Sequence, residues 1–115
     1  MDPLLADAAR RASSYLAGLP ERAVAPTPEA VLALQALREP LPEQPQSPHA
    51  VLQRLDRLGS PATTSMAGGR FFGFVIGGAL PAALAANWLS TAWDQNAASY
   101  AASPGVAVLE DVALG

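Results

Sequence analysis

Residues 47–59 read SPHAVLQRLDRLG, and this stretch combines all the signals that mark a short amphipathic helix. Ser47 can accept a hydrogen bond from an unpaired backbone N–H, and Pro48 fixes φ near its helical value without losing a hydrogen bond. The apolar residues fall on one helical face and are Val51, Leu52, Leu55 and Leu58. Gly59 predicts a left-handed end to the helix, so a helix over 48–59 is expected.

The same pattern of a capping residue followed by proline recurs at Asp2-Pro3, Thr27-Pro28 and Ser103-Pro104. The spacing of apolar residues predicts helices over about 3–17, from 28 to before 40, and from 104 onward. A further helix begins at Pro81 and ends near Gln95 or Asn96. Residues 39–48 contain four prolines and predict an extended connector. The chain is therefore expected to be mainly α, with about five helices and Pro-rich links.

The hydrophobic content predicts incomplete packing within this chain. Alanine supplies 25 of the 115 residues, and each alanine buries only about one methyl group. We expect residues 1–62 to form a helical arm with few contacts among its own helices, which wraps around a partner subunit. Residues 63–115 are expected to begin a larger body that is truncated at Gly115, because the apolar stripe of the last helix is still running there.

Several side chains required by common chemistries are absent. The chain has no Cys, its only His is His49, and all seven basic residues are Arg. This excludes disulfides and thiolate nucleophiles, and no Schiff base can form without Lys. No metal site is expected from one imidazole and scattered carboxylates. His49 follows Pro48 and is predicted to face solvent. The net charge of −3 predicts no nucleic-acid partner.

The uncharged run over residues 71–93 is long enough to cross a bilayer, but its content argues against insertion. Pro81, the glycine pair 77–78 and Asn87 make a poor membrane helix. The N-terminus begins with Asp2-Pro3 and carries charges, which does not fit a signal peptide. The sequence therefore predicts a cytoplasmic protein with no membrane partner.

Residues 66–79 read MAGGRFFGFVIGGA, with three Phe, five Gly and one charge. Two interpretations stay open: a short buried strand or turn that packs on the next helix, or a loop that lines a pocket. Trp88 and Trp93 are expected to be core or interface anchors. Asp94 follows in WDQN, where a buried hydrogen-bonding role at a subunit contact and simple exposure are both open.

The run over residues 70–115 resembles the N-terminal region of the group II pyridoxal-phosphate (PLP)-dependent decarboxylases, which act on aromatic amino acids, histidine, glutamate or diaminobutyrate. The matching pieces are RFFGF at 70–74, PAALAANWL at 81–89, the N-x-x-x-Y of 96–100 and the SP-x-x-x-x-LE of 103–110. They occur in the order and spacing of the family. RLGSPAT at 57–63 and the preceding helices resemble the family's N-terminal arm more loosely.

The resemblance implies a fold-type-I α/β parent enzyme that acts as a homodimer on an amino-acid substrate. In that family the segment that matches Phe74, Val75 and Gly77 lines the substrate pocket, and the segment that matches Asn96 and Ala98 approaches the active site across the dimer interface. The parent family uses PLP, but its lysine and other cofactor-binding residues lie further along the chain. No catalytic residue is therefore expected here, and this chain alone is expected to bind no PLP and to be inactive.

Two alternatives compete with a decarboxylase fragment. A free-standing helical module could use Phe71, Phe72, Phe74 and Trp88 to bind a protein partner. A small membrane protein is the third interpretation, and the residues that interrupt the uncharged run disfavour it.

Overall fold

The computed structural model describes residues 2–115, and within that range it contains helices and no strand. The five α-helices are α1 (Asp2–Gly18), α2 (Pro28–Ala33), α3 (Pro48–Gly59), α4 (Pro81–Trp93) and α5 (Pro104–Leu114). Short 3₁₀ turns follow the first three helices, at Leu19–Glu21, Leu34–Leu37 and Ser60–Ala62. The mainly-α prediction of about five helices is confirmed.

The chain divides into two compact units, of which the first ends at Gly78 and the second spans Ala79–Gly115. The first unit holds α1, α2 and α3, and the second holds α4 and α5. The predicted boundary between arm and body, at residues 62 and 63, stays a prediction.

The helix starts follow the prolines, but of the expected capping residues Thr27, Ser47 and Ser103, only one forms a side-chain cap. Thr27 Oγ1 accepts a hydrogen bond from the Ala30 N–H at 3.1 Å. Ser47 makes no such bond, and Ser103 instead donates its hydroxyl to the carbonyl of Asn96. Proline at the first helical position, rather than the capping hydroxyl, is the feature shared by the starts of α2, α3, α4 and α5.

The predicted left-handed stop at Gly59 is wrong. Gly59 has φ −79° and ψ −48°, which is ordinary right-handed helical backbone. The Ser60 hydroxyl donates to Asp56 Oδ1 at 2.5 Å, and Pro61 suits the first turn of a helix, so the chain continues into the 3₁₀ turn. The bend after α3 therefore comes from Thr63, whose backbone is extended.

A polar contact joins α1 to α3, whereas buried apolar side chains among the arm helices are few, as expected from the sequence. Arg11 lies between two carboxylates: its Nε donates to Asp7 Oδ2 and its Nη1 to Asp56 Oδ2, both at 3.0 Å. Hydrogen bonds from Arg11 and then Arg10 hold the pKa of Asp7 below its usual range. For Asp56, the Ser60 hydroxyl and then Arg11 lower the pKa. The sequence separation of 45 between Arg11 and Asp56 hid this pairing from pattern analysis.

The apolar core of the first unit is small. Among the described residues, only Leu19 and Leu58 are buried hydrophobic side chains, with 6% and 9% of their surface exposed. Other members of the predicted stripes, such as Val51 and Leu55, remain exposed. The first unit is therefore held by a few apolar contacts together with hydrogen bonds between its segments.

Arginine side chains fasten the segment 60–70 to the turn that follows α1. Arg22 Nη2 donates to the carbonyls of Ser60 at 2.6 Å and Thr63 at 2.8 Å. Arg70 Nη2 donates to the Pro20 carbonyl at 3.1 Å and also to the carbonyl of Arg22. Buried Ser65 adds a backbone bond to Val24 O at 2.8 Å. These bonds shape one face of the first unit.

In the second unit, neither α4 nor α5 has a fully buried residue. Leu84 and Trp88 of α4 and Val106 of α5 are half-buried, and Ser103 between the helices is buried, with 1% of its surface exposed. Asp94 ends α4 in left-handed backbone, with φ 49° and ψ 44°. The second unit thus leaves most of its apolar helix surface exposed.

No helix in residues 2–115 combines the length and the apolar character that a bilayer crossing requires.

Candidate functional site

The aromatic segment after Arg70 is exposed and irregular, so the interpretation as a short buried strand or turn is wrong. Phe72, Phe74 and Val75 expose 91%, 86% and 104% of their surface, and the segment is built of turns and extended residues. Only the Phe71 ring folds back, and it lies against Gly73. A Cβ placed on Gly73 would be 3.1 Å from the Phe71 Cζ atom. Glycine at 73 therefore makes room for one Phe ring while the others project outward.

Phe74 and Val75 form a tight turn with two consecutive left-handed residues. Their φ angles are 58° and 56°, and the Ile76 N–H closes the turn on the Gly73 carbonyl at 3.4 Å. Left-handed backbone is uncommon for any residue with a Cβ, and for a β-branched residue such as Val it is a clear outlier. The turn presents both side chains outward at a cost in backbone strain.

Gly77, the third residue of the predicted pocket wall, follows this turn. A Cβ built on Gly77 would meet no atom within 4 Å, and its φ lies outside the left-handed region. Within the described chain, neither close packing nor backbone conformation requires glycine at this position. Phe74, Val75 and Gly77 thus lie together on one exposed segment of the first unit.

Asn96 and Ala98 lie in the connection between α4 and α5, within the second unit. The Asn96 Oδ1 accepts a hydrogen bond from the Ala98 N–H at 3.0 Å, which is an Asx turn. The Asn96 carbonyl accepts from the buried hydroxyl of Ser103, whose own N–H donates to Ser99 O at 3.0 Å. Asn96 therefore sets the shape of the connection through both its side chain and its backbone, and it is itself exposed.

A shallow apolar cleft of about 330 Å³ also lies in the second unit. It is bordered by Trp93, Gln95, Gly105, Val106 and Leu109. The neighbouring Asp94 is exposed within this chain, and the predicted hydrogen-bonding role at a subunit contact stays a prediction. Trp88 is half-buried and Trp93 is about half exposed, so neither is enclosed in a core of this chain.

The first unit contains a larger cleft of about 490 Å³, between the end of α1 and the segment 65–70. Its walls carry apolar groups and two arginines, and the lining residues are Leu16, Leu19, Pro20, Arg22, Val24, Ser65, Ala67, Gly68, Gly69 and Arg70. The sequence interpretation did not single out this cleft, because its walls come from segments about 50 residues apart.

The residues present do not fit PLP. The sequence contains no Lys for a Schiff base. Its single imidazole, His49, is half exposed on α3, with Nδ1 3.8 Å from Asp7 Oδ2. Across residues 2–115, no group of three or more His, Cys, Asp or Glu side chains is placed to hold a metal ion.

No protein-family model, curated protein or solved structure matches this chain.

Proposed function

We propose that this chain is the N-terminal part of a PLP-dependent amino-acid decarboxylase, in which it supplies dimer contacts and part of the substrate-pocket wall. The resemblance of residues 70–115 to group II decarboxylases supports this assignment, because four separate motifs occur in family order. The chain contributes no cofactor lysine, so the bond-breaking chemistry belongs to residues outside it.

The observation that carries the proposal is the exposure of the segment predicted to line the pocket. Phe74 and Val75 are held outward by a left-handed turn, although burial of each side chain in a complementary surface is worth about 1.5–3 kcal/mol. A pocket wall completed by other parts of an enzyme has this property when viewed alone. The outward turn supplies apolar contact area and no charged group.

The helices of the second unit support the dimer role. Leu80, Leu89, Val112 and Leu114 are each more than half exposed on or beside α4 and α5. Subunit interfaces of obligate dimers are apolar at their centre and resemble a protein core cut in two. These helices would bury that surface against the remainder of the enzyme and its partner subunit.

To test this proposal, the complete reading frame that contains codons 1–115 is expressed. PLP-dependent CO₂ release is then measured with individual L-amino acids. We expect activity with a restricted set of substrates. Phe74→Ala should raise KM about tenfold, since loss of an apolar contact in a pocket is worth about 1–3 kcal/mol.

Phe72→Ala is the matched control, because Phe72 is equally exposed but outside the residues that the resemblance assigns to the pocket. Its KM should stay within about twofold of the unchanged enzyme. Absence of PLP-dependent CO₂ release with every amino acid would overturn the proposal. Equal KM changes for the two variants would remove the assigned role of Phe74.

A free-standing protein-interaction module is the second candidate, favoured by the same exposed aromatic side chains. A reading frame that ends after codon 115, together with a chain that binds a different protein through Phe72 and Phe74, would support it over the enzyme.

A further inference from the structure

The cleft of the first unit combines an apolar wall with uncompensated positive charge. Leu16, Leu19 and Val24 contribute apolar surface, and Arg22 and Arg70 contribute guanidinium groups. Its volume of about 490 Å³ lies within the range of small-molecule pockets. No Asp or Glu lines the cleft, in contrast to the surface between α1 and α3, where Arg11 is paired with carboxylates.

Both guanidinium groups keep donors available for a ligand. Each Arg makes its hydrogen bonds to backbone carbonyls through Nη2 alone. Nε and Nη1 make no hydrogen bond to any described residue, and no described carboxylate lies within ion-pair distance of Arg22 or Arg70. An Arg has five N–H donors in a fixed plane, so each retains three that suit an anion.

The same contacts hold the arginines in place. The two carbonyl bonds of Arg22 fix one edge of its guanidinium, and the Tyr15 ring lies 5.1 Å from its Cζ atom. Arg70 is fixed by the Pro20 and Arg22 carbonyls. Side chains ordered in this way lose little further conformational entropy when a ligand binds.

We propose that this cleft binds a small carboxylate with an apolar body. The carboxylate would accept hydrogen bonds from the remaining guanidinium donors, which is the strongest class of hydrogen bond available there. The apolar body would cover the exposed parts of Leu16 and Val24. Neither the decarboxylase assignment nor the aromatic segment is required for this site.

The test measures binding to the full chain by saturation-transfer NMR and equilibrium dialysis, with phenylbutyrate as the probe. Methyl phenylbutyrate keeps the apolar body without the charge, and acetate keeps the charge without the apolar body. Phenylbutyrate should bind at least about tenfold more tightly than either, because each half of the ligand contributes. Equal binding of the ester or of acetate would overturn the proposal.

Variants locate the site. Arg22→Met and Arg70→Met should each weaken phenylbutyrate binding about tenfold, while Arg57→Met, on the exposed surface of α3 outside the cleft, should leave it unchanged. Circular dichroism checks that the variants remain helical. If the cleft variants lose their fold, protection of the amides of Ser65, Gly68 and Gly69 by phenylbutyrate in the unchanged chain decides the question, and absence of that protection refutes the site.

Discussion

Replacement of Leu58 by Ala tests whether the first unit is organised around its small apolar core. Leu58 is one of the two buried hydrophobic side chains among the described residues, with 9% of its surface exposed. Leu55 lies three residues earlier on the same helix, and 59% of its surface is exposed. The two substitutions are chemically identical, so they differ only in the burial of the atoms removed.

The magnitudes follow from that burial. Truncation of a buried Leu to Ala removes a methine and two methyl groups worth about 2 kcal/mol of transfer free energy, and a cavity adds to the loss. Because the core is small and bordered by solvent, it can collapse, and we expect a loss of about 2 kcal/mol for Leu58→Ala. Leu55→Ala removes mostly solvated atoms and should cost about 0.5 kcal/mol or less.

The loss of stability in each variant is measured by native-state hydrogen exchange of the backbone amides in α1 and α3. A loss of about 2 kcal/mol raises the exchange rates about 30-fold, and a loss of about 0.5 kcal/mol raises them about twofold. Equal acceleration in the two variants would show that the exposed side of α3 is covered as well as its buried side. That result would refute a first unit organised around a small core of Leu19 and Leu58.

Three further outcomes are expected. The pKa values of Asp7 and Asp56 are lowered in the folded state, so their contribution to stability is present above pH about 4 and is lost as the pH falls through their folded pKa values. In acid titration followed by circular dichroism, Asp56→Asn should lose the part of this dependence that belongs to Asp56 and keep the part that belongs to Asp7. Val75→Gly should raise the free energy of unfolding by about 0.5–1 kcal/mol in urea, since relief of left-handed strain exceeds the entropy cost of glycine. Ser103→Ala should destabilise the connection between α4 and α5 by about 1–2 kcal/mol, measured by amide exchange there, because the Asn96 carbonyl loses its partner.

Local sequence signals predicted the helices well because helix starts depend on neighbouring residues. The helices α2, α3, α4 and α5 each begin at a proline, so the prolines in the sequence predicted these four starts. The predicted bounds of α3 agree with the structure, but the left-handed backbone expected at Gly59 does not form, because glycine permits that conformation without requiring it. There, the Ser60 to Asp56 hydrogen bond favours continued helical backbone.

Contacts between distant segments were not predictable from pattern. Arg11 and Asp56 are each ordinary surface residues in sequence, and only the folded chain brings them to 3.0 Å. The cleft near Leu19 arises in the same way, from segments that periodicity does not relate. For the aromatic segment, the composition left a buried strand or turn and a pocket-lining loop both open, and the chain leaves most of the segment exposed.

Strain and exposure at Phe74 and Val75 are linked energetically. Left-handed backbone costs about 1–2 kcal/mol for each residue with a Cβ, and the exposed apolar side chains gain nothing from the turn within this chain. Burial of the two side chains against another surface would return about 1.5–3 kcal/mol each, which is enough to offset the strain. Under the proposed function, the turn is therefore stabilised by the surface that it contacts. The polar contacts of Arg22 and Arg70 fix the segment from which it projects.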